Sequence, residues 1–156
     1  MRGRLPSNDQ IALRAGPSNG KCALCENPED VEHIFFTCHL ARFMWAGIRE
    51  MLEVPWDPRS RLEWLHILEG FRSKSRRFLW VLFSAMSWAI WTTRNKFTIE
   101  AKFPRQPADC IFKLIINLQL WRALQRRQDV ELLDEAVVLL KQLFAKTYSP
   151  PPPLVV

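Results

Sequence analysis

The chain has 156 residues, 48% of them apolar, and 22 Lys+Arg against 16 Asp+Glu, a formal net charge of +6. That length allows one ordinary domain, or a small module joined to a slightly larger one, and the apolar fraction excludes a disordered chain. Eleven Pro and five Gly, unevenly spread, exclude a collagen-like or low-complexity protein, and four Cys are too few for a disulfide scaffold.

Residues 1 to about 20 are polar and turn-rich and end in Gly16-Pro17-Ser18-Asn19-Gly20, a loop signal. The charges at Arg2 and Arg4 have no apolar run behind them, so no secretory signal is read there. Cys22 to Cys38 then holds a Cys/His cluster. From His39 onward Leu40, Phe43, Met44, Ile48, Met51 and Leu52 recur at helical steps, until Pro55 and Pro58 stop the pattern. Ser60 and Glu63 form a capping box, and Gly70 closes that helix about three turns later.

A long helix is expected from about Lys74 to Glu100, apolar nearly all round in its middle, with Trp80, Trp88 and Trp91 in the core. Its most hydrophobic stretch, Phe78 to Trp91, is fourteen residues long. A membrane span needs about twenty, and basic residues flank this run on both sides, so it reads as a buried helix. After Pro104 and Pro107 a further stripe follows, Ile111, Phe112, Ile115, Leu118 and Trp121. A last helix, about Val130 to Lys146, has acids at its start and lysines at its end, the order that the helix dipole favours. Cys110 is expected in the core and His66 on a helix without partners. The expectation is a mainly α protein: a small zinc-binding module at residues 1–54, a bundle-like helical region at 55–147, and a Pro-rich disordered tail at 148–156.

The Cys/His cluster is the sharpest chemical signal. Cys22 and Cys25 are separated by two residues, so a tight turn aims both sulfurs at one ion, and His33 and Cys38 complete four ligands, the tetrahedral set that zinc prefers. His33 and Cys38 are five positions apart, about 140° around an ideal helix, so one unbroken α-helix cannot point both at one metal. Cys38 is therefore placed at the start of the next helix, where the dipole also stabilises a thiolate. His39 competes as the fourth ligand and ranks second, because His33 gives the chain room to return. A site closed by four protein ligands is a structural staple for Zn2+ and not a catalyst, and free thiols of this kind belong to a reducing, intracellular compartment, which includes the nucleus.

Leu5-Pro6-Ser7-Asn8-Asp9, Cys22-Ala23-Leu24-Cys25, Val31-Glu32-His33-Ile34-Phe35-Phe36, Cys38 and Ala41-Arg42-Phe43-Met44-Trp45 resemble the zinc-binding domain of plant reverse transcriptases of LINE-type (non-LTR) retrotransposons. More loosely, Trp88-Ala89-Ile90-Trp91 and Arg94-Asn95-Lys96 resemble the helical stretch that follows that domain. The resemblance implies the ligand set Cys22, Cys25, His33 and Cys38. It departs from the family at His39, where Pro is common, and it begins inside the domain and ends without an RNase H region. The implied protein is a fragment or relic of a retroelement enzyme, with the binding module and without the paired aspartates of a polymerase.

Charge allocation supports a binding role. Residues 72–127 hold twelve Lys/Arg and two acids, a local net of +10, whereas residues 26–71 net −5. Arg76, Arg77, Arg94, Lys96, Arg122, Arg126 and Arg127 are the expected contacts to an RNA or DNA backbone, made without reading sequence. The competing expectation is a helical protein-interaction or self-association scaffold, because seven Trp and two apolar helical stripes exceed what a short chain can bury. No enzyme is expected, since no Ser or Cys has a base nearby in sequence.

Overall fold

The computed structural model describes residue 7, residues 19–100, 102, 104 and 106–147. The Pro-rich segment at 148–156 lies outside the described residues, as does most of 1–18. Among the described residues there are five α-helices and no strand: α1 (His39–Leu52), α2 (Arg61–Glu69), α3 (Ser73–Glu100), α4 (Ala108–Trp121) and α5 (Val130–Thr147). A π turn, His33–Thr37, precedes α1, and two 3-10 turns, Arg122–Leu124 and Arg127–Asp129, connect α4 to α5. The mainly α reading is therefore correct. No helix among the described residues is long and apolar enough to cross a membrane.

Helix ends follow local chemistry. The Ser60 side chain accepts from the Glu63 N–H (3.2 Å), as a capping box requires. Its reciprocal arm is shifted by one residue, since the Glu63 carboxylate accepts from the Arg59 N–H at 2.7 Å. Gly70 does close α2, but with φ −71, so it ends the helix without the left-handed conformation that glycine usually supplies. That conformation appears instead at the end of α1, on Glu53 (φ 53). There the N–H groups of Glu53 and Val54 return to the Glu50 and Arg49 carbonyls at 3.3 and 3.1 Å, the paired bonds of a Schellman motif.

Packing is antiparallel through the centre. Cys110 and Lys113 on α4 meet Thr93 on α3, while Asn117, two turns later, reaches back to the Ala85 carbonyl at 3.1 Å. Helix α5 then returns along α4, with Arg122 paired to Asp134 and Phe112 against Phe144 (ring centroids 4.1 Å apart). Helix α1 packs against α3, α4 and α5, so the expected module at 1–54 and the helical region at 55–147 share one continuous core. At its front, Phe36, Trp45, Trp64 and Phe83 bring rings from the π turn, α1, α2 and α3 within 5.9 Å contacts. Cys110 is fully buried, as expected, and His66 pairs at the surface with Glu69 (3.6 Å).

The tryptophan expectation needs correction. Trp80 is 40% and Trp88 52% exposed, and Trp91 is half-buried. Helix α3 is about 42 Å long at 1.5 Å per residue, and its neighbours cover one side of it. The buried positions Phe78, Leu79, Leu82, Ala85, Met86, Ala89 and Ile90 lie on that side. On α4, likewise, Phe112 is 46% exposed and the unexpected Leu114 takes a core place.

Candidate metal centre

The cluster is built from a hairpin-like loop and a helical turn. Cys22 donates its N–H to the Asn27 carbonyl and accepts from Glu26 N–H at its own carbonyl, both at 2.8 Å, so residues 22–27 close a tight knuckle. Glu26 turns the chain with φ 60, a left-handed position held by a non-glycine residue. Asp30 then starts the helical segment, its carboxylate accepting from the His33 N–H at 2.7 Å.

The π turn answers the spacing problem set by His33 and Cys38. The Cys38 N–H returns to the His33 carbonyl at 2.8 Å, five residues back. With about 4.4 residues per turn, positions five apart in a π-helix differ by roughly 50°, against about 140° in an α-helix. The ladder is then broken at Cys38 itself, which has ψ 147 and sits as the N-cap of α1. The expected break before α1 is present, and the wider turn does the rest. Helix α1 also stabilises this turn, since the Trp45 indole N–H donates to the Phe35 carbonyl (2.9 Å) and Arg42 to that of Phe36 (3.4 Å).

Four donor atoms, from Cys22, Cys25, His33 and Cys38, lie within 4.8 Å of one another. The sulfurs of Cys22 and Cys38 are 3.8 Å apart, and Cys25 Sγ is 3.2 Å from His33 Nε2. A tetrahedral zinc with bonds of ~2.3 Å to sulfur has S···S edges of about 3.8 Å and S···N edges of about 3.6 Å, close to the Cys22–Cys38 and Cys25–His33 separations. His39 is exposed on the first turn of α1 and takes no part in the cluster.

The surroundings suit metal ligands. The Leu24 N–H donates to Cys22 Sγ (3.4 Å) and the Asn27 side chain to Cys25 Sγ (3.5 Å). Thr37 Oγ1 lies 3.2 Å from His33 Nδ1 and orients the ring so that Nε2 faces the sulfurs. Burial lowers the His33 pKa against the opposing pull of Glu29 and Asp30, which keeps the imidazole neutral. The hydrogen bond to Cys38, followed by burial, pushes the Cys22 thiol far up, while the same bond holds Cys38 down. A dication between the two sulfurs would let both ionise.

Behind Cys22 and Cys38 lie Ile34, Leu40, Ile90, Glu29 and Arg94. Glu29 (1% exposed) and Arg94 (5%) form a two-pronged ion pair through both guanidinium Nε and Nη2. This pair ties the loop to α3. Arg94 was expected to face phosphate, and its burial beside a carboxylate corrects that assignment. Its charge is neutralised, it donates also to Asn95 (2.9 Å), and it lies over the Trp91 ring at 5.3 Å. The Glu29 partner was missed in the sequence because the two residues stand 65 positions apart.

The other expected cations are held in different ways. Arg77 is bidentate to Asp129 (2.9 Å twice), and Arg122 to Asp134 (2.8 and 2.9 Å). These arginines hold both carboxyls below the usual range, and Arg126 and Lys74 also act on Asp129. Arg76 donates to the carbonyls of Leu68, Glu69 and Phe71, at the end of α2. Arg76, Lys96, Arg126 and Arg127 are exposed and pair with no carboxylate among the described residues. Lys74, which the sequence reading passed over, belongs with them.

Fold and site together define a mainly α protein carrying a Cys3His metal module at its N-terminal end. Residues 1–45 match the family described as zinc-binding in reverse transcriptase. That match covers the four clustered ligands and the first half of α1. No curated protein and no solved structure matches the chain significantly.

Proposed function

We propose that the chain is a zinc-stapled, nucleic-acid-binding accessory module of retrotransposon reverse-transcriptase descent, of the plant LINE type, and that it has no catalysis of its own. The observation that carries the reading is the convergence of Cys22, Cys25, His33 and Cys38 within 4.8 Å in the segment that matches the family. Zn2+ bound there has four protein ligands and no open position, so it fixes the loop against α1 and α3 and supplies no Lewis-acid step. The exposed cations Lys74, Arg76, Lys96, Arg126 and Arg127, none within ion-pair distance of a carboxylate among the described residues, are the contacts to an RNA or DNA backbone. The acids at Glu26, Asp30 and Glu32 turn the metal loop away from phosphate. A nuclear location agrees with such a partner.

A salt titration tests this reading. Each phosphate neutralised contributes about −0.9 to the slope of log K against log [salt] on duplex DNA. Four or five contacts predict a slope near −4, and a chain that binds neither RNA nor DNA at low salt contradicts the proposal. One observation favours a second reading, a protein-interaction or self-association scaffold. On α4 and the turn after it, Phe112, Ile116, Leu120 and Leu124 recur every four residues and are 46%, 52%, 67% and 80% exposed.

A further inference from the structure

Helix α3 carries a second ladder at four-residue steps, and its chemistry differs from that of α4. Arg76, Trp80, Ser84, Trp88, Thr92 and Lys96 follow one another along the helix. All are exposed except Thr92, which is partly so. A four-residue step turns the direction by about 40° and advances about 6 Å, so the six side chains form one strip about 30 Å long that winds about 200° round the helix from Arg76 to Lys96, with the two indoles about 80° apart. Between the cations stand two indoles, and beside each indole a small hydroxyl residue. The Ser84 hydroxyl donates back to the Trp80 carbonyl (2.8 Å), and that of Thr92 to the Trp88 carbonyl (2.9 Å). Both hydroxyls are turned onto their own helix, which leaves the flanks of the rings low.

We propose that this strip binds single-stranded nucleic acid, with Trp80 and Trp88 stacking on bases while Arg76 and Lys96 hold phosphates at either end. The inference rests on the nucleic-acid reading above and narrows it to single strands. Exposed indoles between cations that lack carboxylate partners match the two parts of a nucleotide chain, a π-face and a phosphate. Arg76 keeps its full charge while its Nε and Nη2 donate to neutral carbonyls at the end of α2. Trp80 and Trp88 are about 12 Å apart along the axis, whereas bases in a duplex are stacked at 3.4 Å and covered on both faces. Only a strand whose bases are already free reaches both rings. The cations beside the α4 ladder Phe112, Ile116, Leu120 are already engaged, Lys113 with the Thr93 hydroxyl (2.7 Å) and Arg122 with Asp134, so charge complementarity selects α3 for this partner.

Fluorescence anisotropy on the full-length, zinc-loaded chain tests the inference, with a labelled 12-nucleotide single strand and a duplex of the same length. Stacking by one ring gives roughly tenfold in affinity, so W80A/W88A is expected to lose about a hundredfold on the single strand. Its duplex affinity and its helical circular dichroism stay those of the parent chain. W80F/W88F recovers part of the loss, and R76Q/K96Q weakens both nucleic acids and flattens the salt slope. Wild-type affinity of W80A/W88A for the single strand overturns the ladder and leaves backbone binding elsewhere standing. Absence of binding by the parent chain at low salt overturns both. Unchanged nucleic-acid affinity with a shift from dimer to monomer in sedimentation assigns the strip to self-association and overturns the inference as well.

Discussion

The acidic front and the basic middle of this chain differ both in how many cations they have and in how those cations are held. Residues 26–71 contain four basic side chains, and every one is paired. Arg42, Arg49 and Arg59 converge on Asp57, whose carboxyl Arg42 in particular holds below the usual range, and Arg61 meets Glu32. In residues 72–127, Arg77, Arg94, Lys102 and Arg122 are paired. Arg72, Lys74, Arg76, Lys96, Arg126 and Arg127 have no carboxylate partner among the described residues and stand exposed. A local surplus of charge thus becomes a surplus of available charge, because the twelve cations outnumber every acid within reach. Arg94 and Lys96 show how local the outcome is. Two residues apart on one helix, the first is buried against the metal loop and the second faces solvent.

Breaking the join between the two regions has the largest expected effect. Glu29→Ala leaves the Arg94 guanidinium buried without its counter-charge, a cost of about 3–5 kcal/mol, measured as a fall in unfolding free energy. Arg94→Met added to Glu29→Leu recovers most of that loss, because the pair's desolvation penalty disappears with its attraction. A double variant as unstable as Glu29→Ala contradicts the assignment of Arg94 to the interior.

The aromatic residues sharpen the same contrast. Trp45, 2% exposed and within 5.1 Å of the Trp64 ring, loses about 3–5 kcal/mol on truncation to Ala. Trp88→Ala, on the open side of α3 and 52% exposed, loses less, about 1–2 kcal/mol. Equal losses at the two positions contradict the burial pattern described for α3.

Much of the fold was legible because helix boundaries are local events. The stops around Pro55 and Gly70, the start of α4 after Pro107 and the cap at Ser60 were readable from neighbouring residues. The ligand set was also legible, because Cys22, Cys25, His33 and Cys38 fall within seventeen residues. The π turn was not, since nothing in His33–Thr37 distinguishes a five-residue return from a four-residue one. The exposure of Trp80 and Trp88 was missed for a different reason. An apolar run that is hydrophobic all round does not say which side its neighbours cover, and α4 and α1 decide that from far along the chain. The buried pairing of Arg94 is non-local in the same way, and a tally of charges cannot separate it from Lys96.

The central claim is that one zinc ion closed by four protein ligands holds the front of the molecule to its helices. Metal content of the purified protein tests it most directly, measured on the parent chain, His33→Ala, His39→Ala and Cys38→Ser. The account predicts one zinc per chain in the parent and in His39→Ala, and loss of the metal, with reduced thermal stability, in the other two. A parent chain without metal, or a zinc retained in His33→Ala and lost in His39→Ala, would contradict it.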